Sequence, residues 1–139
     1  AVAVAAVVSV GTTWLADRET REVNRALFRG DVEGARDAAE RARSLDPLSL
    51  APLFALARVE EFARDGRAAL AAYVSAAELQ PENPESWYQL GLYEFALGDR
   101  CSAYVHLNRA YTLDPAGTQW TDDSELVQSL AWVNEPGNC

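Results

Sequence analysis

Few side chains in this sequence could perform covalent or acid–base chemistry. The two cysteines, Cys101 and Cys139, could form one disulfide or remain two free thiols. The only histidine is His106, and the repeat pattern described below predicts that it lies on the outer side of its helix. The acidic residues at 122–125 offer too few oxygens for a calcium loop and suit the start of a helix better. The sequence has no phosphate-binding glycine loop and no metal-spaced Cys/His set, so we predict a non-enzyme without cofactor or metal.

Composition narrows the class of partner. The chain has 139 residues, is 49% hydrophobic and carries a net charge of −9, so it can bury a core as one domain. All 12 basic residues are arginine. Since a nucleic-acid-binding protein needs a basic stripe, and none is visible, we predict no nucleic-acid partner. The use of Arg without Lys, together with abundant Ala, is typical of a GC-rich genome and favours a bacterial source.

Two sequence signals recur along the chain at a constant step of 34 residues (47 to 81 to 115). A Leu-x-Pro triplet occurs at 45–47, 79–81 and 113–115. Alanine keeps the same step in two series, which are Ala35, Ala69, Ala103 and Ala42, Ala76, Ala110. We refer to this step as the repeat period. It predicts stacked helix pairs, in which the alanines allow close approach and the prolines follow helices that end.

The expected helix pairs are 17–29 with 32–45, 50–64 with 67–79, and 84–97 with 100–113. They define three repeats, 17–48, 49–82 and 83–115, between an apolar segment 1–16 and a C-terminal segment 116–139. Turns are expected at Gly30-Asp31, Asp65-Gly66 and Gly98-Asp99. A final helix near 122–133 should cap the third repeat through an apolar face. That face consists of Leu126, Val127, Leu130, Ala131 and Val133.

The third repeat carries the residues most typical of a known family. They are Trp87, Leu90, Gly91, Gly98, Ala103, Leu107, Ala110 and Pro115. Through them the chain from 17 to 115 resembles the tetratricopeptide-repeat (TPR) family. The first repeat departs from the pattern, because Glu19 and Glu22 stand where the family has Trp and Leu. The resemblance implies an all-α fold: a right-handed superhelical stack of antiparallel helix pairs, with three repeats and a capping helix.

The resemblance also implies a concave groove that binds a protein or peptide. The positions expected to line this peptide-binding groove are Asn24, Phe54, Arg58, Glu61, Phe62, Tyr88, Leu92 and Phe95, with Thr20, Leu27 and Phe28 as further inward positions in the first repeat. Aromatic rings around a few polar groups suit an extended or helical peptide, although some of these rings could instead pack on one another. Family members that clamp a terminal carboxylate use several Lys, Arg and Asn residues. Only Asn24 and Arg58 are available here, so we do not expect a chaperone tail to bind.

The predicted capping helix should bring the two cysteines close together. It should run antiparallel to the helix that begins near Cys101, because the connecting loop is short, and its end should return toward that residue. Cys139 follows soon after. A Cys101–Cys139 disulfide would stabilise the fold by a few kcal/mol and would imply an extracytoplasmic location. Two free thiols are the alternative.

The N-terminal residues 1–16 contain no charged side chain. A bilayer span needs about 20 apolar residues, so we interpret this run as the end of a truncated transmembrane helix, with Trp14 near its polar boundary. The alternative is a helix packed on the first repeat or on a second copy of the chain. The first interpretation predicts a membrane-associated protein with extracytoplasmic repeats favoured over cytoplasmic ones. The lack of Met favours a fragment or a processed chain.

Three functions are compatible with these features. The first is a non-catalytic scaffold module that binds a protein or peptide in the groove. The second is the soluble C-terminal extension of a polytopic bacterial membrane enzyme of the O-antigen polymerase/ligase type, with the chemistry upstream. The third is a self-association module, in which the N-terminal segment pairs two copies into a homodimer.

Overall fold

The structure is a computed structural model that describes the backbone of residues 2–139 and the side chains of residues 15–139. This described part contains seven α-helices and no strand. The helices are α1 (Val2–Phe28), α2 (Val32–Leu45), α3 (Ala51–Phe62), α4 (Gly66–Leu79), α5 (Pro84–Leu97), α6 (Arg100–Leu113) and α7 (Glu125–Val133). Contacts divide the chain into two compact units, Ala1–Ala72 (unit 1) and Tyr73–Cys139 (unit 2).

The chain reverses after α1, α3 and α5 through a residue with positive φ. These residues are Gly30 (75°), Arg64 (60°) and Gly98 (86°), which follow one another at the repeat period. In each turn the following N–H donates to the carbonyl oxygen five residues back, at 2.9–3.0 Å. Glycine adopts this conformation freely, whereas a side chain there costs about 1 kcal/mol. The sequence predicts the second turn at Asp65-Gly66, but α4 already begins at Gly66, so Arg64 makes the turn.

The helix starts follow from local side-chain chemistry. Asp31 and Asp99 begin α2 and α6, and their carboxylates accept backbone N–H groups from Gly34 and Ser102. Asn83 caps α5 in the same way, directly before a proline that needs no hydrogen-bond partner at that position. The observed spans of α2, α5 and α6 therefore agree with those predicted from the sequence.

Alanine builds most of the core of unit 1. The buried cluster contains Val23, Ala26, Ala35, Ala38, Ala39, Ala55 and Val59, with Leu27, Val32 and Leu56 packed against it. In this unit α1 contacts α2 and α3, and α2 contacts α3. Small side chains permit these close helix approaches, which dense packing requires.

A glycine allows the closest approach in unit 2. A Cβ placed on Gly91 of α5 would lie 2.7 Å from Cγ of Leu107 and 3.0 Å from its backbone nitrogen on α6. Leu90 and Leu107 are fully buried beside it. Gly91 therefore fits the position because any larger residue would push α6 away.

The two acidic residues of α1 that replace the family's Trp and Leu both form ion pairs with arginines. Glu19 is largely buried, and it accepts a hydrogen bond from Nε of Arg41 on α2 at 2.9 Å and another from Arg18. These bonds, the Arg41 bond first, lower the pKa of the Glu19 carboxyl. Glu22 instead pairs with Arg25 and Arg29 along the helix surface. Helix α1 thus packs on α2 despite lacking the family's Trp and Leu.

The predicted membrane association is wrong. Among the residues that the structure describes, no helix has the length and apolar character needed to cross a bilayer. Helix α1 is 27 residues long, but charged residues begin at Asp17 and occupy its C-terminal half. The predicted location of the repeats outside the cytoplasm at a membrane is therefore also wrong. The alternative interpretation is that residues 1–16 pack on the first repeat or on a second copy. It depends mainly on the side chains of residues 1–14, which are not among those that the structure describes.

The capping helix packs with only part of the face that the sequence predicts. Helix α7 contacts α6 and, less extensively, α5. Ser129 is fully buried, whereas Val127 and Leu130 are 42% and 40% exposed. Leu126 and Val133 are half-buried. Close approach to α6 favours a small residue inside, so part of the predicted apolar face points to solvent.

Candidate peptide-binding faces

Unit 1 presents one set of the predicted groove residues on α1 and α3, two helices that contact each other. Asn24, Arg58 and Glu61 are exposed, and Phe54 is half-buried. Asn24 and Arg58 are separated by one repeat period, so they hold equivalent positions on the two helices. We refer to Asn24, Phe28, Phe54, Arg58, Glu61 and Phe62 as the α1–α3 face.

Two phenylalanines dominate this face. Phe28 is the last residue of α1 and is 93% exposed, and Phe62 is the last residue of α3 and is 54% exposed. They too are separated by one repeat period. Phenylalanine is normally among the most buried residue types, so the exposure of rings at equivalent positions of two contacting helices distinguishes this face.

Unit 2 presents the remaining predicted groove residues on α5, but its own chain partly covers them. Tyr88, Leu92 and Phe95 are all half-buried. The Tyr88 ring meets Trp120 edge-on, with centroids 5.5 Å apart, and Trp120 also meets Tyr111 at 5.6 Å. Burial, with smaller contributions from nearby carboxylates, raises the pKa of the Tyr88 hydroxyl. Tyr88 therefore packs on Trp120, an aromatic residue outside the predicted groove set.

Phe95 is engaged by a cation. The guanidinium of Arg100 lies 4.6 Å from the centroid of Phe95 and 5.5 Å from that of Trp132. A guanidinium at such a distance is attracted to the face of an aromatic ring. Sequence reasoning missed Arg100, Trp120 and Trp132, because none of them belongs to the repeating pattern.

A buried ion pair links α2 to α3 in unit 1. Glu60 is 5% exposed, and it accepts two hydrogen bonds from Arg36, from Nε at 2.7 Å and from Nη2 at 2.9 Å. The Glu60 carboxylate raises the pKa of the Arg36 guanidinium. Such two-pronged contacts satisfy a buried carboxylate well. Glu61, its neighbour, points outward on the α1–α3 face, as the 100° step between adjacent helical residues predicts.

The equivalent carboxylate in unit 2 has another partner. Glu94 is 6% exposed and lies 2.6 Å from Nδ1 of His106 on α6. The His106 ring stacks on Trp87, with centroids 5.5 Å apart. The prediction that His106 lies on the outer side of its helix is wrong, because α6 turns this position toward α5. The arrangement packs two helices together and leaves the imidazole only a quarter exposed.

An open cleft of about 470 Å³ lies between α1 and α2. Its lining is mixed in charge and comprises Leu15, Arg18, Glu19, Asp37, Glu40, Arg41, Ser44 and Leu45. Arg18 and Arg41 both pair with Glu19, so these three charged side chains already make contacts within the cleft. Within the part of the chain with described side chains, no group of three His, Cys, Asp or Glu residues could hold a metal ion.

The cysteines are bonded in the structure. Cys101, near the start of α6, and Cys139 form a disulfide with a Cα–Cα distance of 6.1 Å. The tail is held further by Asn138, whose side-chain amide donates to the carbonyl of Trp132 at 3.0 Å. The disulfide closes the segment that contains α7 onto α6.

Solved structures share this arrangement of helices. The first TPR domain of human RPAP3 matches with a TM-score of 0.65 and 19% identity, over 84% of this chain and 93% of that domain. The Sgt2 TPR domain from Aspergillus fumigatus matches with a TM-score of 0.68 and 20% identity, over 85% and 78%. The first TPR of Spaghetti (RPAP3), bound to the HSP90 peptide SRMEEVD, matches at 0.68 and 18%, over 88% and 96%.

The sequence itself matches no protein-family model and no curated protein. The structural likeness confirms the fold predicted from the repeat period: an all-α TPR fold with three helix pairs and a capping helix. None of these neighbours supports the alternative of a membrane enzyme.

Proposed function

We propose that this chain is a non-catalytic interaction module that binds a peptide or protein partner on the α1–α3 face. The fold is one in which a neighbour is bound to a peptide. The groove residues of unit 2 (Tyr88, Leu92 and Phe95) contribute less in this proposal, because Trp120 and Arg100 already engage two of them.

The observation that carries the proposal is the exposure of Phe28 and Phe62. Burying one such ring against a partner contributes about 1.5–3 kcal/mol, so two rings provide a hydrophobic anchor of useful size. Aromatic and arginine side chains dominate binding energy at interfaces, and Arg58 lies exposed on the same face.

The polar residues of the α1–α3 face indicate what kind of peptide it takes. Asn24 and Arg58 can donate hydrogen bonds, but Glu61 adds a negative charge to the same face. The peptide seen on the Spaghetti domain, SRMEEVD, is acidic at its end. With one arginine opposed by one glutamate, we expect this face to prefer a peptide with apolar anchors and no acidic cluster.

A peptide selected from a random displayed library on the immobilised chain provides the test. We expect the double substitution Phe28→Ser and Phe62→Ser to weaken its binding more than tenfold, measured by fluorescence anisotropy. Both side chains are exposed, so helicity measured by circular dichroism should not change. Val105→Ser is the matched control, because Val105 is 60% exposed but lies on α6.

Two results would overturn the proposal. One is an unchanged affinity in the Phe28/Phe62 variant, and the other is an equal loss in the Val105 control. Arg58→Ala tests the polar contribution separately and should weaken binding severalfold. The self-association prediction remains open, and sedimentation equilibrium of the chain with and without residues 1–16 would test it.

A further inference from the structure

Helix α7 carries an apolar stripe that is partly exposed to solvent. Val127, Leu130 and Ala131 follow the spacing i, i+3, i+4 and are all exposed, and Trp132 beside them is 44% exposed. On a helix this spacing forms one continuous face. We refer to Val127, Leu130 and Ala131 as the α7 stripe.

The orientation of α7 has an energetic consequence. Ser129 is fully buried, and its hydroxyl has no hydrogen-bond partner among the described residues. An unsatisfied buried hydroxyl opposes folding. The need for a small residue against α6 explains why Ser129 faces inward. It does not explain why the outward positions are Val, Leu and Ala, where polar residues would suit solvent better.

The charged residues that flank the α7 stripe along the sequence have one sign. Residues 110–139 contain five acidic side chains and no basic one. Asp122 and Asp123 are exposed just before α7, and Glu135 is exposed just after it. One cation, Arg100 of α6, lies beside α7, and it is already held against Phe95 and Trp132.

We propose that the α7 stripe is a docking surface for a basic amphipathic helix of a partner protein. The stripe would receive the apolar residues of that helix, and the acidic residues at both ends of α7 would pair with its Lys or Arg residues. A second copy of this chain is a poor occupant, since it would bring the same five acidic residues against these five. This surface is separate from the α1–α3 face, so the two sites can be tested independently.

The probe is a synthetic helical peptide of about 18 residues, or five turns, with Leu at i, i+3, i+4 and i+7 and Arg at the remaining exposed positions. Its matched control has Glu in place of every Arg. We expect the Arg peptide to bind and the Glu peptide not to bind, by fluorescence anisotropy. Because the attraction is partly between exposed charges, added salt should weaken it.

Variants of the chain then locate the site. Leu130→Gln should weaken Arg-peptide binding at least tenfold, and the pair Asp122→Asn and Asp123→Asn should weaken it severalfold and reduce its salt dependence. Val105→Gln on α6 is the control that should leave it unchanged. Equal binding of both peptides, or an unchanged affinity in Leu130→Gln, would overturn the proposal. A dimer in sedimentation equilibrium that Leu130→Gln abolishes would also overturn it, in favour of a second copy.

Discussion

Glu60 and Glu94 hold the same position in successive repeats, yet they are satisfied in different ways. Both carboxylates are almost completely buried. In unit 1 the partner is Arg36 of the preceding helix α2, which offers a forked contact and a permanent charge. In unit 2 the partner is His106 of the following helix α6, which offers a single bond and is charged only when protonated. The buried carboxylate therefore links α3 to α2, which belongs to the previous helix pair. In the next repeat it links α5 to α6, which belongs to the same helix pair.

The sequence explains why neither partner could serve in the other repeat. One period after Arg36 stands Leu70, and one period before His106 stands Ala72. The repeat thus fixes where a buried carboxylate occurs, while its partner is supplied locally.

Removing the cation should harm unit 1 more than unit 2. Arg36→Met leaves Glu60 buried without its partner and should lower the free energy of unfolding by about 3 kcal/mol, while His106→Leu should cost about half of that. Urea denaturation followed by circular dichroism measures both. The double variant Arg36→Met with Glu60→Met should recover most of the loss, because the unpaired charge is gone. Equal losses for the two single variants would break the comparison.

The helix contacts differ in how much room they leave. Gly91→Ala should destabilise the protein by about 2 kcal/mol, since the new methyl group meets the Leu107 side chain and backbone nitrogen of α6. Its equivalent in α3 is Ala57, which is fully buried. There the reverse change, Ala57→Gly, should cost about 1 kcal/mol through lost helix propensity. Thermal unfolding compares them. A neutral Gly91→Ala would mean that α6 can shift without penalty.

The two interhelical turns at Arg64 and Gly98 should respond in opposite directions. Arg64→Gly should stabilise the protein by about 0.5–1 kcal/mol, because glycine accepts a positive φ without strain. Gly98→Ala should destabilise it by about 1 kcal/mol for the same reason. Chemical denaturation of the two variants measures both changes. If Arg64→Gly also destabilises, the Arg64 side chain makes contacts worth more than the strain.

The smallest effect concerns acid stability. The N–H of Ser102 donates to the Asp99 carboxylate and, with the Ser102 hydroxyl, lowers the pKa of Asp99 below its ordinary value of 3.8. This cap therefore stabilises the fold above that pH, and the contribution is lost as the pH falls through the lowered pKa. Asp99→Asn keeps a capping side chain but cannot titrate. Its unfolding free energy should fall less steeply below pH 4 than that of the wild type, and parallel pH profiles would refute the assignment.

Local chemistry explains which parts of the fold were predictable. Pro, Gly, Asp and Asn act on their own backbone, so the ends of α2, α5 and α6 followed from the sequence. The partner of Glu94 did not, since it depends on how α6 is rotated against α5. The orientation of α7 was also not predictable. Its apolar residues indicated that Leu130 would be buried, but Ser129 is the residue that is buried against the rest of unit 2. Arg64 was missed because the neighbouring Gly66 looked like the better turn residue.

The sequence predicted which positions form the candidate site, but not which of their side chains are exposed. The period assigns Phe28, Phe62 and Arg58 to corresponding places on α1 and α3, but it does not tell an exposed ring from a packed one. Phe28 is open and Tyr88 is covered by Trp120, and this difference comes from a loop outside the repeats. Tertiary packing, not residue type, separates the two faces.

Hydroxyl-radical footprinting of the chain with and without the library-selected peptide tests the central claim most directly, because it reports the exposure of individual side chains. We predict that bound peptide protects Phe28 and Phe62 strongly and leaves Val105 and Trp132 unchanged. Protection confined to unit 2, with Phe28 and Phe62 as reactive as in the free chain, would contradict the account.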